Sequence, residues 1–241
     1  MSQTKRKHTT TLAGERVTYE VSTSDDANHP RIDAGIDGIT VVLPTNTDKQ
    51  PEALLKENTD WVLDKKTKFD QYREEIPSRT FEAGETFPYL GEGHTLLIES
   101  CQKSVATDGT IRLRQSAVDQ SSVERALRNF YQREARTYLS DRLDHYADEM
   151  ALSYDGLQIR NQRTRWGSCS TNGTISLNYR LMLAPPDVVD YIVVHELAHL
   201  REPNHTKAFW AIVGEYVPEY DQYREWLNEN GAQLALSNAD L

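Results

Sequence analysis

The stretch Val193-Val194-His195-Glu196-Leu197-Ala198-His199-Leu200 constrains this chain more than any other. It sits in a run from Asp187 that is otherwise almost wholly apolar: Val188, Val189, Tyr191, Ile192, Val193, Val194, Leu197, Ala198 and Leu200. Pro185-Pro186 in front of it suits a helix start, where the missing N–H of proline is no loss. A helix that is apolar on most sides is a buried one. Two histidines and a glutamate inside it are costly unless they are paired or bound to metal. His195 and His199, four residues apart, project from one face about a turn apart. Both imidazoles can therefore reach one cation. Glu196 points to a neighbouring flank, from which its carboxylate can touch water on the metal and not the metal itself. This is the H-E-x-x-H arrangement of two ligands and a general base. The bland alternative, a core helix with two satisfied histidines, leaves three polar residues at this spacing to coincidence.

A zinc site needs a third protein ligand. His205 follows His199 by six residues, after Arg201-Glu202-Pro203-Asn204. Pro203 forbids smooth continuation of the helix, and Asn204 tolerates a left-handed conformation, so the chain can turn back. The same interval occurs in H-E-x-x-H-x-x-G-x-x-H peptidases, but Glu202 stands here in the glycine position. The rival ligand is an acid further on, Glu215 or Glu219. Three protein ligands leave one coordination position open, as in catalytic zinc sites. Zinc would lower the pKa of its water toward ~7, and Glu196 would take the proton and later protonate the leaving amine.

Composition narrows the partners. The chain has 241 residues and a net charge of −10, an acidic balance that argues against broad nucleic-acid binding and against docking on anionic membranes. The length suits one large domain or two small ones. The two cysteines, Cys101 and Cys169, make no disulfide framework, and no secretory leader is visible. No run approaches the ~18 apolar residues of a membrane span. The expectation is a soluble cytoplasmic protein with no membrane partner.

Pattern along the chain predicts an α+β fold: an N-terminal β-rich module over residues 1–118, then a zincin-like catalytic domain over 119–241 with an active-site helix and a small sheet. Val17–Val21 and Ile39–Leu43 read as strands, with Asp33–Gly38 as a hairpin loop. Pro51 opens a helix with Leu54, Leu55, Trp61 and Val62 on its apolar side. Phe81 to Ile111 reads as strands broken by glycines. Ser121 and Glu124 form a capping box for a helix reaching about Met150. Leu157–Arg160 and Thr174–Asn178 read as strands joined through an Asn172-Gly173 hairpin signal. Helices are expected over Thr206–Tyr216 and Glu219–Asn230, the last closed by Gly231 at its C′ position. No internal repeat is visible.

The residues Arg165-Trp166-Gly167-Ser168-Cys169, Ile175-Ser176-Leu177-Asn178-Tyr179-Arg180-Leu181, the helix from Tyr191 to Leu200 and Asn204-His205-Thr206-Lys207-Ala208-Phe209-Trp210 together resemble the YgjP-like metallopeptidases, relatives of SprT-like and minigluzincin proteases. The resemblance is dense from about Ser122 to Gly231 and weaker before it. It implies a zinc-binding α+β catalytic domain with His195, His199 and His205 as ligands.

Gln158 to Leu183 holds Arg160, Arg163, Arg165 and Arg180 and no acid, a local reversal of sign. These arginines could grip a substrate carboxylate or phosphate by bidentate contacts; the alternative is pairing with surrounding acids. Arg165, Asn178 and Arg180 are the candidates for substrate binding. Trp166 and Gly167 read as a wedge beside a tight turn, Cys169 as a small buried residue, and Phe209 and Trp210 as core that fixes His205. Thr174–Asn178 could be an edge strand that pairs with an extended peptide. Three functions stay open: a zinc peptidase acting on peptide or protein; a metal-dependent hydrolase or amidase on another substrate; and a non-catalytic zinc-binding adaptor, in which nucleic-acid association would run through the arginines. Retention of Glu196 argues against the last.

Overall fold

The computed structural model describes residues 7–24, 27, 29–35, 38–162 and 165–237. The chain forms two compact units that part between Glu75 and Ile76. The smaller holds β1 (Lys7–Leu12), β2 (Glu15–Ser24), β3 (Arg31–Gly35) and β4 (Gly38–Pro44), then α1 (Pro51–Glu57) and α2 (Thr59–Glu74). Its sheet has the order β1-β2-β4-β3, with antiparallel outer pairs and a parallel central pair. Ala13 and Gly14 both take positive φ, 47° and 89°, as the tight turn matching strand twist requires. Val17, Tyr19 and Val41 from the sheet and Leu54, Leu55 and Val62 from the helices make one core. Trp61 is not part of that side; it is exposed. The single helix expected after Pro51 is broken at Asn58, whose side-chain N–H donates to the Leu54 carbonyl at 2.8 Å.

The larger unit opens with β5 (Thr86–Tyr89), β6 (Glu92–Glu99), β7 (Val105–Thr107) and β8 (Thr110–Arg114). Their order is β5-β6-β8-β7, again antiparallel outside and parallel between the central strands. The turns Leu90-Gly91 and Asp108-Gly109 repeat the positive-φ pair of Ala13-Gly14. The two units thus share one sheet wiring, although no repeat shows in the sequence. The larger unit starts well before residue 118 because Phe87, Leu96, Ile111 and Leu113 belong to its core, together with Leu127, Phe130 and Tyr131.

Next come α3 (Gln115–Asp119) and α4 (Val123–Glu149). The cap of α4 is Ser122, which accepts the Arg125 N–H at 3.2 Å. Ser121, the expected cap, instead donates to the Ala117 carbonyl. A three-stranded sheet follows: β9 (Gly156–Arg160), β10 (Gly167–Cys169) and β11 (Thr174–Asn178), in the order β10-β11-β9. The Asn172-Gly173 turn joins β10 to β11, antiparallel; β9 lies parallel to β11 and so cannot be its hairpin partner. β11 is therefore central, and β10 is the edge.

A 3₁₀ turn at Tyr179–Leu183 leads to α5 (Pro186–Ala198), α6 (Lys207–Tyr216) and α7 (Tyr220–Asn230). Gly231 keeps right-handed φ of −57° and runs into a 3₁₀ turn, so it is not a left-handed cap. α5 is buried through Val188, Val189, Val193, Val194, Leu197 and Ala198. A forked pair fastens it to α4: Arg142 Nε and Nη2 donate to the two Asp190 oxygens at 2.7 and 2.8 Å, and the Tyr146 hydroxyl adds a third bond at 3.2 Å. The architecture is mixed α and β, with three small sheets.

Candidate metal centre

The helix α5 carries His195 and Glu196 in its last turn, and His199 caps its end. Backbone bonds from Leu200, Arg201 and Glu202 back to Leu197 and Ala198 tighten the exit, and Pro203 ends it. The chain reverses, and Thr206 caps α6 by accepting the Phe209 N–H at 3.3 Å. The reversal brings His205 back over α5, with its Nε2 3.0 Å from His195 Nε2. Ligand nitrogens of His195, His199 and His205 all lie within 4.8 Å of one another. Neither Glu215 nor Glu219 belongs to this group. His8, His29, His94 and His145 lie outside it too.

Phe209 is the floor of the cluster. It is fully buried, and its ring centroid lies 4.9, 4.6 and 4.7 Å from those of His195, His199 and His205. Trp210 flanks His205 at 5.7 Å and stacks on Tyr220. The pair expected to fix His205 thus packs against two or three of the imidazoles.

His199 Nδ1 lies 3.3 Å from the Glu202 carbonyl, which puts a proton on that nitrogen and leaves Nε2 with its lone pair. Burial first, then the two neighbouring imidazoles, push His195 down to about 3. Burial also pushes His199 down, against the backbone bond from Glu202. The neutral imidazole is the form that binds metal. Two ring nitrogens facing each other at 3.0 Å need a proton or a cation between them. His195 Nδ1 is buried with no hydrogen-bond partner among the described residues. The donor set fits a divalent cation with a liking for imidazole.

Glu196 follows His195 on the same helix and is only 5 % exposed. Burial pushes its carboxyl up to about 8, with Arg165 pulling the other way. Room for it is made by Gly167 on β10. A Cβ there would lie 2.5 Å from Glu196 Oε1, 2.6 Å from Cγ and 2.8 Å from Cδ. Gly167 therefore serves no tight turn; it sits in a strand and yields its side-chain volume to Glu196. A glycine inside a strand pattern, the mark of close approach, was the available signal. The imidazoles and Glu196 open on a cleft of about 570 Å³, which Arg165, Ser168 and Cys169 also line. Cys169 is half-buried, and its thiol is pushed up by burial and then by Glu196. It is not one of the converging ligands.

The arginine segment divides. Arg163 lies outside the described residues. Arg160 is exposed and bonds to Gln158. Arg165 lines the cleft. Asn178 and Arg180, expected on the substrate side, are 0 % and 1 % exposed. Asn178 Nδ2 donates to the Gln162 and Arg165 carbonyls, and Arg180 Nη2 to the Gln162 carbonyl. They hold the wall from behind and do not face the cleft.

A protein of Escherichia coli (strain K12) named UTP pyrophosphatase is 35 % identical over 78 residues, 31 % of this chain and 47 % of that protein. The match thus spans about half the length of that relative. Two crystal structures are similar in part. The metallopeptidase zymogen jannalysin of Methanocaldococcus jannaschii is 19 % identical, with 38 % of this chain and 95 % of that one covered at a TM-score of 0.35. The zymogen abylysin of Pyrococcus abyssi is 24 % identical, with 40 % and 99 % covered at a TM-score of 0.34. The family model described as YgjP-like, metallopeptidase domain matches residues 28–230, most of the sequence, and the chain belongs to that family.

Proposed function

We propose that this chain is a zinc-dependent peptidase, with His195, His199 and His205 as metal ligands and Glu196 as general base. One observation carries the reading. Three imidazole nitrogens converge within 4.8 Å, and a nearly buried carboxylate from the same helix lines the same cleft. An all-imidazole set suits zinc, and three protein ligands leave a position for substrate. Zinc held there would polarise the scissile carbonyl as a Lewis acid and bring the pKa of water toward ~7. Glu196 accepts the proton of the attacking water and returns it to the leaving nitrogen. Burial favours the protonated carboxyl, whereas a cation held by the imidazoles favours the carboxylate that can accept a proton. The Glu202 carbonyl keeps the His199 ring turned with Nε2 inward.

The edge strand supports a peptide substrate. Trp166 O and Ser170 N bond to β11, so alternation turns the backbone groups of Gly167 and Cys169 outward, beside Glu196. An extended peptide laid there gains main-chain hydrogen bonds. This role passes from Thr174–Asn178 to β10, since β11 is central. The test is a peptide-library digest with wild type, chelator-treated protein, zinc-restored protein and Glu196→Gln. Cleavage should vanish with chelator, return with zinc and fall about 10²–10⁴-fold in Glu196→Gln. Equal cleavage by the Gln variant defeats the reading.

Two observations favour a second reading. Arg165 brings a guanidinium to the cleft, and the E. coli relative is named a UTP pyrophosphatase. The same ligands and Glu196 would then direct water onto a phosphoanhydride. Pyrophosphate release from UTP, measured beside the peptide digest, separates the two.

A further inference from the structure

We propose that Arg165 forms an oxyanion subsite, which takes a phosphate or carboxylate group of the substrate beside the metal centre. Asn178 and Arg180 act as its positioning residues. The proposal rests on the cleft being the substrate site.

Arg165 is exposed and lines two adjoining hollows. One is the cleft with the imidazoles. The other, about 440 Å³, lies along β9, β10 and β11 and has no acid among its lining residues. Among the described residues, Glu196 is the one carboxylate lining the cleft. That is a marked exclusion in a chain with 37 acidic residues. Six other arginines pair with carboxylates, Arg31, Arg112, Arg128, Arg133, Arg142 and Arg224, and Arg79, Arg160 and Arg201 bond to carbonyl or amide oxygens. The Arg165 guanidinium makes no ion pair or hydrogen bond among the described residues, and its one electrostatic partner there is Glu196 in the same cleft. Beside it, the hydroxyls of Ser168 and Ser176, cross-strand partners on β10 and β11, are likewise without a partner. The Thr174 hydroxyl is different; it donates to Asp155 at 3.2 Å. A forked guanidinium next to free hydroxyls matches the planar or tetrahedral oxygens of carboxylate and phosphate.

The backbone beneath Arg165 is held with unusual care. Asn178, with no exposed surface, donates from Nδ2 to the Arg165 carbonyl at 3.0 Å and to the Gln162 carbonyl at 2.7 Å. Its own N–H reaches the Trp166 carbonyl at 2.8 Å. Its Oδ1 accepts from Arg180 N at 3.1 Å and from Arg180 Nε at 3.4 Å. The Arg180 guanidinium lies 5.0 Å from the centre of the Trp166 ring. Burying a guanidinium is costly, and this one is used to fix the residues on either side of Arg165. A surface arginine needs no such support; a binding arginine does.

The test uses the full chain and needs no turnover. Inorganic phosphate and acetate are titrated calorimetrically into metal-free wild type, Arg165→Ala, Arg165→Lys and His195→Ala, with folding checked by circular dichroism. Phosphate affinity should fall about tenfold in Arg165→Ala, partly recover in Arg165→Lys and hold in His195→Ala. Tighter phosphate than acetate points to a phosphoryl substrate, and the reverse points to a peptide carboxylate. Arg180→Lys keeps the charge but loses the fork. It should lower phosphate affinity and change Trp166 fluorescence while zinc stoichiometry stays at wild type. Arg165→Ala binding phosphate as wild type does, or wild type binding neither anion, overturns the proposal. Failure of hydrolysis on every substrate, with anion binding intact, counts against the enzymatic reading alone.

Discussion

Gly167→Ala adds one methyl group against the proposed base. The new Cβ would stand 2.5 Å from Glu196 Oε1, where ordinary contact begins at 3.4 Å. Glu196 must then retreat by roughly 1 Å, because carbon contacts are optimal at about 3.5–4.0 Å. Its side chain is nearly buried, so it has little free space to enter. A shift of about 1 Å in a catalytic group can cost about 10²-fold in rate. Complete loss of general-base help costs ~10²–10⁴. Gly167→Ala should therefore lose about 10²-fold in kcat, with KM nearly unchanged. The three atoms nearest the added methyl all belong to Glu196 and none to an imidazole, so one zinc per chain should remain by elemental analysis. If the carboxylate resists instead, overpacking costs about 1–3 kcal/mol and shows as a lower Tm. Two controls isolate the cause. Gly156→Ala on β9 adds a methyl that meets nothing within 4 Å and should be silent. In a Glu196→Gln background, Gly167→Ala should cost no further rate, since the base it displaces is already gone. Wild-type kcat in Gly167→Ala, or an equal loss in both backgrounds, would refute the reasoning.

Removal of one imidazole should empty the centre. His195→Ala, His199→Ala and His205→Ala each leave two nitrogens where three converge, and each should drop zinc to well below one per chain after dialysis; full occupancy in all three would mean the cation sits elsewhere. Arg142→Ala breaks a forked, partly buried pair that joins α4 to α5. The cost should be about 1–3 kcal/mol, since hydrogen bonds to charged groups exceed neutral ones and the pair is only partly screened. Urea unfolding reads it as a lower midpoint at constant slope, and an unchanged midpoint would show the clamp to be idle.

What the sequence reveals about this molecule is set by how local each cause is. The α5 helix is legible because Pro185-Pro186 and the apolar run act within one element, and His195 and His199 are neighbours on any helix. The reversal to His205 is legible for the same reason, since Pro203 must end the helix. Strand partnership is not local. Asn172-Gly173 marks a hairpin, but only tertiary pairing decides that three-residue β10, and not β9, lies across it. β11 becomes central and loses its edge role as a result. The shared wiring of the two four-stranded sheets escapes detection because a turn glycine and strand alternation suffice for it, and many sequences meet both.

Arg180 shows the limit most clearly. Charge assigns an arginine to the surface, yet Arg180 is 1 % exposed, and Asn178, the Gln162 carbonyl and the Trp166 ring stand in for part of the water it loses. Asn178 is two residues away, but Gln162 and Trp166 are far from Arg180 along the chain and no local period connects them. Arg165, with the same charge, stays exposed because no comparable set closes around it. The four-arginine segment therefore contains opposite solutions to one problem: Arg180 is enclosed and supports the wall, while Arg165 is left open where the cleft can use it. Composition alone gives the two residues equal weight, and the difference arises only when β11 delivers Asn178 beneath the loop.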